Sequence, residues 1–443
     1  MKTILSIFIS LFSLFLNGQC FQSVSTHYQH SLALKTDGSL WSWGSNDAGE
    51  LGSGSTLNSY TPQRIGNATD WSEIFAQSSA SFVIKNNGTL WACGDGTGGR
   101  LGTGIQGNAY VLTQVGTDNN WDFVTAGAGT IALKTNGTLW GWGSNVFGQL
   151  NLGAASVQLT PIQISSETDW MKVVAGSNFT LAIKTNGTLW ACGLNDKRQL
   201  GDGTNTNRFN FVQIGTDNNW LYLATGFLFK HSFAIKTDGT LWGWGSNLNN
   251  VQGLPSTVPY ITTPTQIGTA NNWSKVATGY YSTIAIRTDG TLWMSSATGF
   301  YQIGTDTDWN WIDSGEAHFF AMKTDGTLWG QGGNDYGQLG LGSSIQGTTI
   351  PTQLNCSAFL NIEEVNTSSK IVIYPNPTNE ILIIENSSNS TIDKITLTDI
   401  TGKIILEENN NFSKMNMENF ETGIYILKIS SDNRIYNYKI VKK

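Results

Sequence analysis

Residues 236–247 have the sequence KTDGTLWGWGSN, and closely related strings recur along most of the chain. Asp-Gly or Asn-Gly between two β-prone runs predicts a β-hairpin, because a tight turn of type I′ needs positive φ at both central residues. Seven copies align on this string, and the spacings between their tryptophans are 50, 49, 50, 52, 51 and 36 residues. These tryptophans are Trp41, Trp91, Trp140, Trp190, Trp242, Trp293 and Trp329. A fixed period of this size is typical of solenoids and propellers.

One repeat unit divides into four short β-prone runs. In the fourth unit, a tryptophan opens the first run (170–176) and the second run ends at Lys184, directly before the turn. Thr-Leu-Trp begins the third run, a loop rich in Gly and Asn follows, and a fourth run such as 264–268 closes a unit. Four antiparallel strands make one propeller blade. The sequence therefore predicts an all-β protein whose residues 20–356 form a seven-bladed β-propeller.

The repeated core Ala-Leu-Lys-Thr-Asp-Gly-Thr-Leu-Trp, with GQL at 148–150 and GQLG at 337–340, resembles the regulator-of-chromosome-condensation repeat family. Members of that family are seven-bladed propellers, so the resemblance implies the same fold. The sixth unit departs from the pattern, since it lacks the Gly-Gln-Leu-Gly loop. Some members exchange nucleotide on a small nuclear GTPase, which an exported protein would not meet. Secreted bacterial propellers with similar repeats bind protein partners through their loops and imply a binding function.

The first 19 residues have the features of a secretory signal peptide. Lys2 precedes an apolar stretch at 4–16, which ends in polar residues and is too short to span a membrane. Cys20 follows directly, so a lipoprotein signal is the alternative, although the preceding Gln19 is not the small residue that such signals favour. No later segment is apolar for 18 residues. The sequence thus predicts an exported protein without a membrane span.

Two cysteines stand where the ring must close. Elsewhere, the aliphatic residue that ends one unit lies six positions before the next unit's tryptophan, as in Ile214 and Trp220. The first unit has Phe21 in the tryptophan position, which places Cys20 and Cys356 in slots three residues apart on any other connector. Such a separation fits a disulfide, and export permits one. We expect a Cys20–Cys356 bond; the alternative is two unpaired thiols.

The composition changes after Cys356. Residues 357–370 look like a linker, and residues 371–443 contain alternating strand-like runs that predict a small β-sandwich. Several motifs there resemble the C-terminal sorting domain of the type IX secretion system, and they occur in that family's order: Tyr374-Pro375-Asn376-Pro377, then Gly423-Ile424-Tyr425, then a lysine-rich end. The resemblance implies recognition by the type IX machinery, cleavage of the tail, and release or attachment at the outer-membrane surface.

Repeated positions argue against metal and redox chemistry. The histidines at 30, 231 and 318 each lie five residues before the lysine of their repeat, which favours a structural hydrogen bond over a metal ligand. Cys93 and Cys192 occupy the slot that Trp43 fills in the first unit, on blades that are not neighbours. We expect them to be separate buried thiols. No metal and no cofactor is expected.

The turn carboxylates are not expected to be catalytic. Asp238 and its equivalents alternate with asparagine in other copies, and such an exchange keeps a turn but removes acid–base chemistry. No nucleophile triad or phosphate-binding loop is present. With a net charge of −7 there is also no electrostatic reason for a nucleic-acid partner. The rival is a glycan-active enzyme, for which only Asp313 and Glu316 are plausibly near the proposed binding region.

The most variable loops predict a binding surface. In blade 5 the first–second loop is long and contains Phe227, Phe229 and Lys230, and the corresponding loop of blade 6 contains Tyr280 and Tyr281. Because blade 6 also lacks its third–fourth loop, we expect a notch beside these aromatic side chains at blades 5 and 6. The alternative is that the two phenylalanines fold inward. The predicted function is binding of a surface protein or polysaccharide; a purely structural surface protein is a further alternative.

Overall fold

A computed structural model describes residues 21–154, 157–226, 230–354, 371–386, 392–399, 403–409, 413–431 and 434–443. The predicted signal peptide, Cys20, Cys356, Phe227 and Phe229 lie outside these residues. The described strands fall into two compact units, one before and one after residue 360. The signal-peptide and linker boundaries stay predictions. No described helix is long and apolar enough to span a membrane.

Seven four-stranded antiparallel sheets form the blades of the first unit, and the strands in each sheet follow chain order. The first strands of blades 1 to 7 are Phe21–His27, Trp71–Gln77, Trp121–Ala126, Trp170–Ala175, Trp220–Thr225, Trp273–Thr278 and Trp309–Ser314. The second strands are His30–Lys35, Ala80–Lys85, Gly129–Lys134, Phe179–Lys184, His231–Lys236, Thr283–Arg287 and His318–Lys323. The third strands are Leu40–Gly44, Leu90–Gly94, Leu139–Ser144, Leu189–Gly193, Leu241–Ser246, Leu292–Ser296 and Leu328–Gly333. The fourth strands are Ser59–Arg64, Ala109–Gln114, Val157–Gln163, Arg208–Gln213, Tyr260–Gln266, Gly299–Gln302 and Gly347–Leu354. Short 3-10 turns occur at Thr97–Gly99 and Leu248–Asn250.

The first strands lie side by side around the centre, and blade 7 contacts blade 1, so the ring is closed. Side-chain oxygens join consecutive first strands. Ser25 Oγ accepts from Ala76 N at 3.0 Å, and Thr125 Oγ1 accepts from Ala175 N at 3.0 Å. At the closing junction, Asp313 Oδ2 accepts from Thr26 N, also at 3.0 Å. The all-β seven-bladed propeller predicted from the repeat is confirmed.

The hairpin between the second and third strands is confirmed, but the predicted turn type is wrong. Gly239 N donates to Lys236 O at 2.9 Å, and Lys236 N donates to Thr240 O at 3.1 Å. Gly239 has a φ of 79°, whereas Asp238 is not among the residues with positive φ. This is a three-residue loop in which a type I turn is followed by a left-handed glycine. Only one position therefore requires positive φ, and Asp or Asn can precede it equally.

The rest of the repeated string forms a chain of hydrogen bonds that does not need a charge. In blade 5, Trp242 Nε1 donates to Thr240 Oγ1 at 2.8 Å, and Thr240 Oγ1 donates to Asp238 Oδ1 at 2.6 Å. In blade 4 the same chain ends on the amide oxygen of Asn186 at 2.7 Å. An acceptor oxygen is the shared requirement, and the hydrogen bond replaces solvation lost at a half-buried indole. The aspartates are thus structural, as the Asp/Asn exchange predicts.

The lysine of each string has a role that the sequence did not reveal. Lys236 Nζ lies 4.6 Å from the Trp220 ring centroid and 3.8 Å from that of Trp242, between the first and third strands of its blade. It also forms an ion pair with Asp217 at 2.7 Å. Blades 2, 3, 4 and 7 repeat this arrangement with lysine, and blade 6 uses Arg287 between two tryptophans. Cation–π contacts of this kind join strands that do not hydrogen-bond to each other.

The second unit consists of two sheets around one core. One sheet has Ile371–Tyr374, Ile381–Asn386 and Lys414–Asn416, and the other has Ile404–Asn409, Ile392–Asp399, Gly423–Ser431 and Arg434–Lys442. Buried side chains from both sheets, such as Leu382 and Leu427, form a common cluster. This agrees with the small β-sandwich predicted for the tail.

Candidate binding site on the loop face

Each third–fourth loop lies on the next blade rather than on its own. In blade 1 this loop donates from Gly54 N to Tyr110 O in the fourth strand of blade 2, at 2.8 Å. The loops of blades 2, 3, 4 and 7 make the equivalent backbone bond to the following blade. Loop carbonyls also accept from second-strand hydroxyl groups of that blade, as in Ser81 Oγ to Glu50 O at 2.6 Å. A loop and its neighbouring blade are therefore one packing unit.

Blade 6 has no such loop. Its third and fourth strands are joined by two residues, with Ser296 paired to Gly299 across the turn. Blade 7 is altered at the two positions that would receive the loop: Phe319 replaces the hydroxyl residue of the second strand, and Gln331 replaces the Trp or Cys of the third. Phe319 is buried at the junction of blades 6 and 7, and Gln331 Nε2 donates to Thr349 O at 3.0 Å.

The missing loop thus changes the surface between blades 6 and 7. The expectation of a notch at blades 5 and 6 has to be corrected, because the loop of blade 6 would have lain on blade 7. On the side toward blade 5, the ring of Phe300, in the fourth strand of blade 6, packs against two other aromatic rings. Its centroid lies 5.3 Å from that of Trp273 and 6.5 Å from that of Phe233. The loop of blade 5 approaches this same ring through Gly253.

The first–second loops of blades 6, 7 and 1 join into one surface. Tyr280 N donates to Glu316 O at 2.9 Å, and Glu316 N donates to Tyr28 O at 2.7 Å. A shallow pocket lies here, and its lining includes His27, Tyr28, Gly279, Tyr280, Gly315 and Glu316. The backbone bonds fix the three loops relative to one another, which is the arrangement expected of a preformed binding surface.

Tyr28 lies close to Glu316, Tyr280 and Tyr336, and Tyr280 in turn contacts Tyr281. We call these four tyrosines the tyrosine cluster: Tyr28, Tyr280, Tyr281 and Tyr336. Tyr280 and Tyr281 are in edge-to-face contact with centroids 4.4 Å apart, and Tyr281 is 55% exposed. Burial raises the pKa of Tyr28, and the nearby Glu316, Tyr336 and Tyr280 raise it further. Gln29 Nε2 donates to Glu316 Oε2 at 2.5 Å. Aromatic rings beside an oriented carboxylate can stack on a ligand and accept its hydrogen bonds.

The predicted site residues are not all brought together among the described residues. Tyr280 and Tyr281 lie in the tyrosine cluster, whereas Lys230 pairs with Asp196 at 3.0 Å, on the third–fourth loop of blade 4. Phe227 and Phe229 lie outside the described residues. The sequence argument missed Tyr28 on blade 1 and Tyr336 on blade 7, because these blades have loops of ordinary length. Their positions in a first–second and a third–fourth loop are the only signal for them.

Asp313 and Glu316, the carboxylates of the enzyme alternative, have different surroundings. Asp313 accepts from Thr26 N, from Ser25 Oγ at 3.3 Å and from Ser314 N at 2.9 Å. Burial raises the pKa of Asp313 to about 6, although these hydrogen bonds oppose the shift. Its oxygens are occupied by ring closure, whereas Glu316 lies in a loop of the surface pocket.

The histidines are buried in separate blades. His30 Nε2 bonds Ser81 Oγ at 3.0 Å, and His318 Nε2 bonds Thr26 Oγ1 at 2.6 Å. Both ring nitrogens of His231 are buried without a hydrogen-bond partner in the described part of the chain. Burial lowers the pKa of all three to about 3. The described residues contain no grouping of three or more His, Cys, Asp or Glu that could hold a metal ion.

The thiols at 93 and 192 are separate, buried and free, as predicted. Each Sγ lies 3.6 Å from a loop carbonyl of the preceding blade, at Glu50 and Gln149. Burial raises the pKa of Cys93 to about 12, and the charge of Glu50 adds to the shift. Both thiols are therefore protonated and serve as small hydrogen-bond donors in the slot that tryptophan fills elsewhere.

The tail motifs meet in space. Asn376 Nδ2 donates to Lys439 O, and Asn376 Oδ1 accepts from Val441 N at 2.8 Å, which ties the Tyr-Pro-Asn-Pro segment to the last strand. Tyr425 packs in the core, and its hydroxyl donates to Glu421 O at 2.8 Å. Tyr374 and Gly423 lie at strand ends. The motifs therefore define one end of the sandwich.

Comparison with known families decides the identity of both units. Regulator of chromosome condensation (RCC1) repeats match residues 37–84, 136–183, 238–286 and 325–372, and a second model of the same repeat matches 21–50 and 172–199. The propeller is built of RCC1 repeats. A secretion system C-terminal sorting domain matches residues 372–443. The RCC1 chain is thus a type IX secretion cargo that is secreted or attached to the cell surface.

Solved structures agree with this fold. Human WBSCR16 superposes with a TM-score of 0.64 at 17% identity and covers 72% of this chain and 94% of that one. Prp20p from Saccharomyces cerevisiae superposes with a TM-score of 0.52 at 19% identity, over 79% of this chain and 78% of that one. Ulvan lyase NLR42 from Nonlabens ulvanivorans is 29% identical over 89 residues. That match covers 19% of this chain and spans only 16% of the lyase.

Proposed function

We propose that the exported RCC1 propeller is a binding module for a surface polysaccharide or protein and that the tyrosine cluster is its contact surface. The observation that supports this is the joining of three loops around Glu316, with Tyr281 presented at 55% exposure. Exposed tyrosines lose little conformational entropy on binding and are enriched among the residues that dominate binding energy. We propose Lys230, Phe227 and Phe229, in the first–second loop of blade 5, as further contact residues.

A glycan-active enzyme is the second candidate, and the similarity to an ulvan lyase favours it. The match spans only 89 residues and 16% of the lyase, so it does not carry a lyase active site over to this chain. A base on this chain would also need a pKa near the working pH. Tyr222, on the first strand of blade 5, has its pKa raised to about 12 by burial and by Asp313, and the oxygens of Asp313 accept hydrogen bonds at the ring closure. Binding without turnover is therefore the better-supported function.

The test is a glycan array and a pull-down with the exported protein, repeated with Tyr281→Ala. We expect at least a tenfold loss of affinity for the best ligand, the size typical of a central aromatic contact. Tyr301→Ala is the matched control, because Tyr301 is 50% exposed but lies on the fourth strand of blade 6. Equal binding by both variants would remove the tyrosine cluster as the site. Release of new reducing ends from a bound polysaccharide would favour the enzyme instead.

A further inference from the structure

The seven first strands surround a central channel. Each first strand opens with an aromatic residue, and the residues two positions later are equivalent in all seven blades and lie at one level of the channel. Backbone pairing shows this equivalence. Lys172 pairs with Ile183, which directly precedes Lys184. Lys275 pairs with Ile286, which directly precedes Arg287. The residues in blade order are Ser23, Glu73, Phe123, Lys172, Tyr222, Lys275 and Trp311. This level lies near the start of the first strands, at the opposite end from the tyrosine cluster.

Blades 4 to 7 alternate ammonium and aromatic groups at this level. Lys172 Nζ lies 5.2 Å from the Tyr222 ring centroid. Partial burial lowers the pKa of Lys172, and the positive charge of Lys275 on blade 6 lowers it further. The lysines that precede the turn of each repeat, such as Lys236, form ion pairs with carboxylates. Among the described residues, no carboxylate pairs with Lys172 or Lys275. Two like charges held together without a counter-ion favour binding of an anion.

Two carboxylates lie near this level, Glu73 on blade 2 and Asp313 on blade 7, and, in addition to burial, the charge of Asp313 contributes to the raised pKa of Tyr222. Burial raises the pKa of Glu73 on blade 2, and Asp122 on blade 3 raises it further. Asp313 lies two residues deeper than Trp311, where it accepts hydrogen bonds from blade 1. The Tyr222 phenol stays protonated at neutral pH and can donate a hydrogen bond. Both cationic groups of this level and two of its three aromatic rings therefore lie in one half of the channel, on blades 4 to 7, while Asp313 is held by its hydrogen bonds to blade 1.

We propose that this half of the channel binds an acidic sugar, with its carboxylate or sulfate group between Lys172 and Lys275 and its ring against Tyr222 or Trp311. Lys172 is exposed and Lys275, Tyr222 and Trp311 are partly exposed, so solvent reaches the level. A few charged groups among aromatic side chains are typical of a site that orients a small ligand. A nucleotide offers related chemistry, but an exported protein of net charge −7 is a poor nucleic-acid partner. The site is separate from the tyrosine cluster and does not depend on its function.

The experiment is calorimetric titration of the full chain with a glucuronate tetrasaccharide, a neutral glucose tetrasaccharide, sodium sulfate and adenosine monophosphate. We expect the glucuronate probe to bind at least tenfold more tightly than the neutral probe, and sulfate to compete with it. Lys172→Met and Lys275→Met should each weaken glucuronate binding at least tenfold. Because no carboxylate among the described residues pairs with either lysine, both variants should keep the wild-type unfolding midpoint, which a structural role would lower.

Lys197→Met is the matched control, since Lys197 Nζ lies 5.5 Å from the Tyr260 ring outside the channel. It should bind glucuronate like the wild type, and so should Tyr281→Ala, which separates this site from the tyrosine cluster. Equal binding of charged and neutral sugars would overturn the proposal. Wild-type binding by the Lys172→Met, Lys275→Met double variant would also overturn it. Tighter binding of adenosine monophosphate than of glucuronate would replace the sugar with a nucleotide.

Discussion

Acid should destabilise the propeller through its histidines, and His231→Phe isolates one of them. The position begins the second strand of blade 5, and in blade 4 it is occupied by Phe179. Both rings cover a glycine: a Cβ on Gly226 would lie 2.0 Å from the His231 ring, and one on Gly176 would lie 2.0 Å from the Phe179 ring. Phenylalanine is therefore an accepted shape at this site.

The sign of the effect follows from proton binding. Burial lowers the pKa of His27 to about 4, with a contribution from Arg100, and that of the other three histidines to about 3. Below about pH 6.5 the histidines of the unfolded chain therefore bind protons, whereas those of the folded chain stay neutral. The free energy of unfolding thus falls as the pH drops. Asp313 acts in the opposite direction, because its folded pKa of about 6 lies above its unfolded value.

The magnitude can be worked from these shifts. Linkage gives a loss of about 1.6 kcal/mol for each histidine between pH 6.5 and pH 5, or about 6 kcal/mol for four, and Asp313 returns about 1 kcal/mol. The expected net loss is on the order of 5 kcal/mol. His231→Phe removes one titrating group and two ring nitrogens that have no hydrogen-bond partner among the described residues. We expect it to stabilise by about 1 kcal/mol at pH 7, and the difference from wild type should grow by a further ~1.9 kcal/mol between pH 7 and pH 5.

Urea unfolding of the full chain followed by tryptophan fluorescence measures this, because all 17 tryptophans lie between residues 41 and 329 and report only on the propeller. His30→Phe is the comparison: it loses the bond to Ser81 and should cost about 1 kcal/mol at pH 7, yet show the same pH-dependent gain. A difference between His231→Phe and wild type that stays constant from pH 7 to pH 5 would refute the reasoning. So would a loss of stability at pH 7 beyond about 1 kcal/mol, since it would mean that the ring nitrogens are bonded.

Other predictions test the repeat and the ring. Asp238→Asn should change the free energy of unfolding by less than about 0.5 kcal/mol, as the asparagine copies imply, whereas Thr240→Val breaks the bond from Trp242 and should cost about 1 kcal/mol; equal costs would contradict the hydrogen-bond chain. Gly239→Ala should cost about 2 kcal/mol or more in the same assay, because φ is 79° and the new Cβ would lie 2.2 Å from Asn271 O; a neutral result would contradict this turn geometry. Non-reducing peptide mapping should find Cys20 linked to Cys356, while Cys93 and Cys192 react with iodoacetamide only after unfolding; a free Cys20 in the mature protein would end the disulfide hypothesis.

The sequence alone determined the fold because the repeat is local: each unit contains its own turn glycine, its hydrogen-bond acceptor and its core leucine and tryptophan. Period and turn chemistry then require seven similar blades, and the tail motifs are likewise short and ordered. The turn type could not be predicted from the sequence, since Asp-Gly suits both a type I′ turn and a type I turn followed by a left-handed glycine. The contact of each turn lysine with two tryptophans was not predicted, because the two tryptophans, such as Trp220 and Trp242, lie far apart in sequence.

Only the tertiary structure decided where the irregular features act. A deletion in blade 6 is visible in the sequence, but its consequence falls on Phe319 and Gln331 of blade 7, because each loop packs on the next blade. The tyrosine cluster combines residues more than 300 positions apart, and, in addition to burial, the charge of Lys275 lowers the pKa of Lys172 from another blade. Such groupings depend on ring closure, which brings together residues that no sequence window contains.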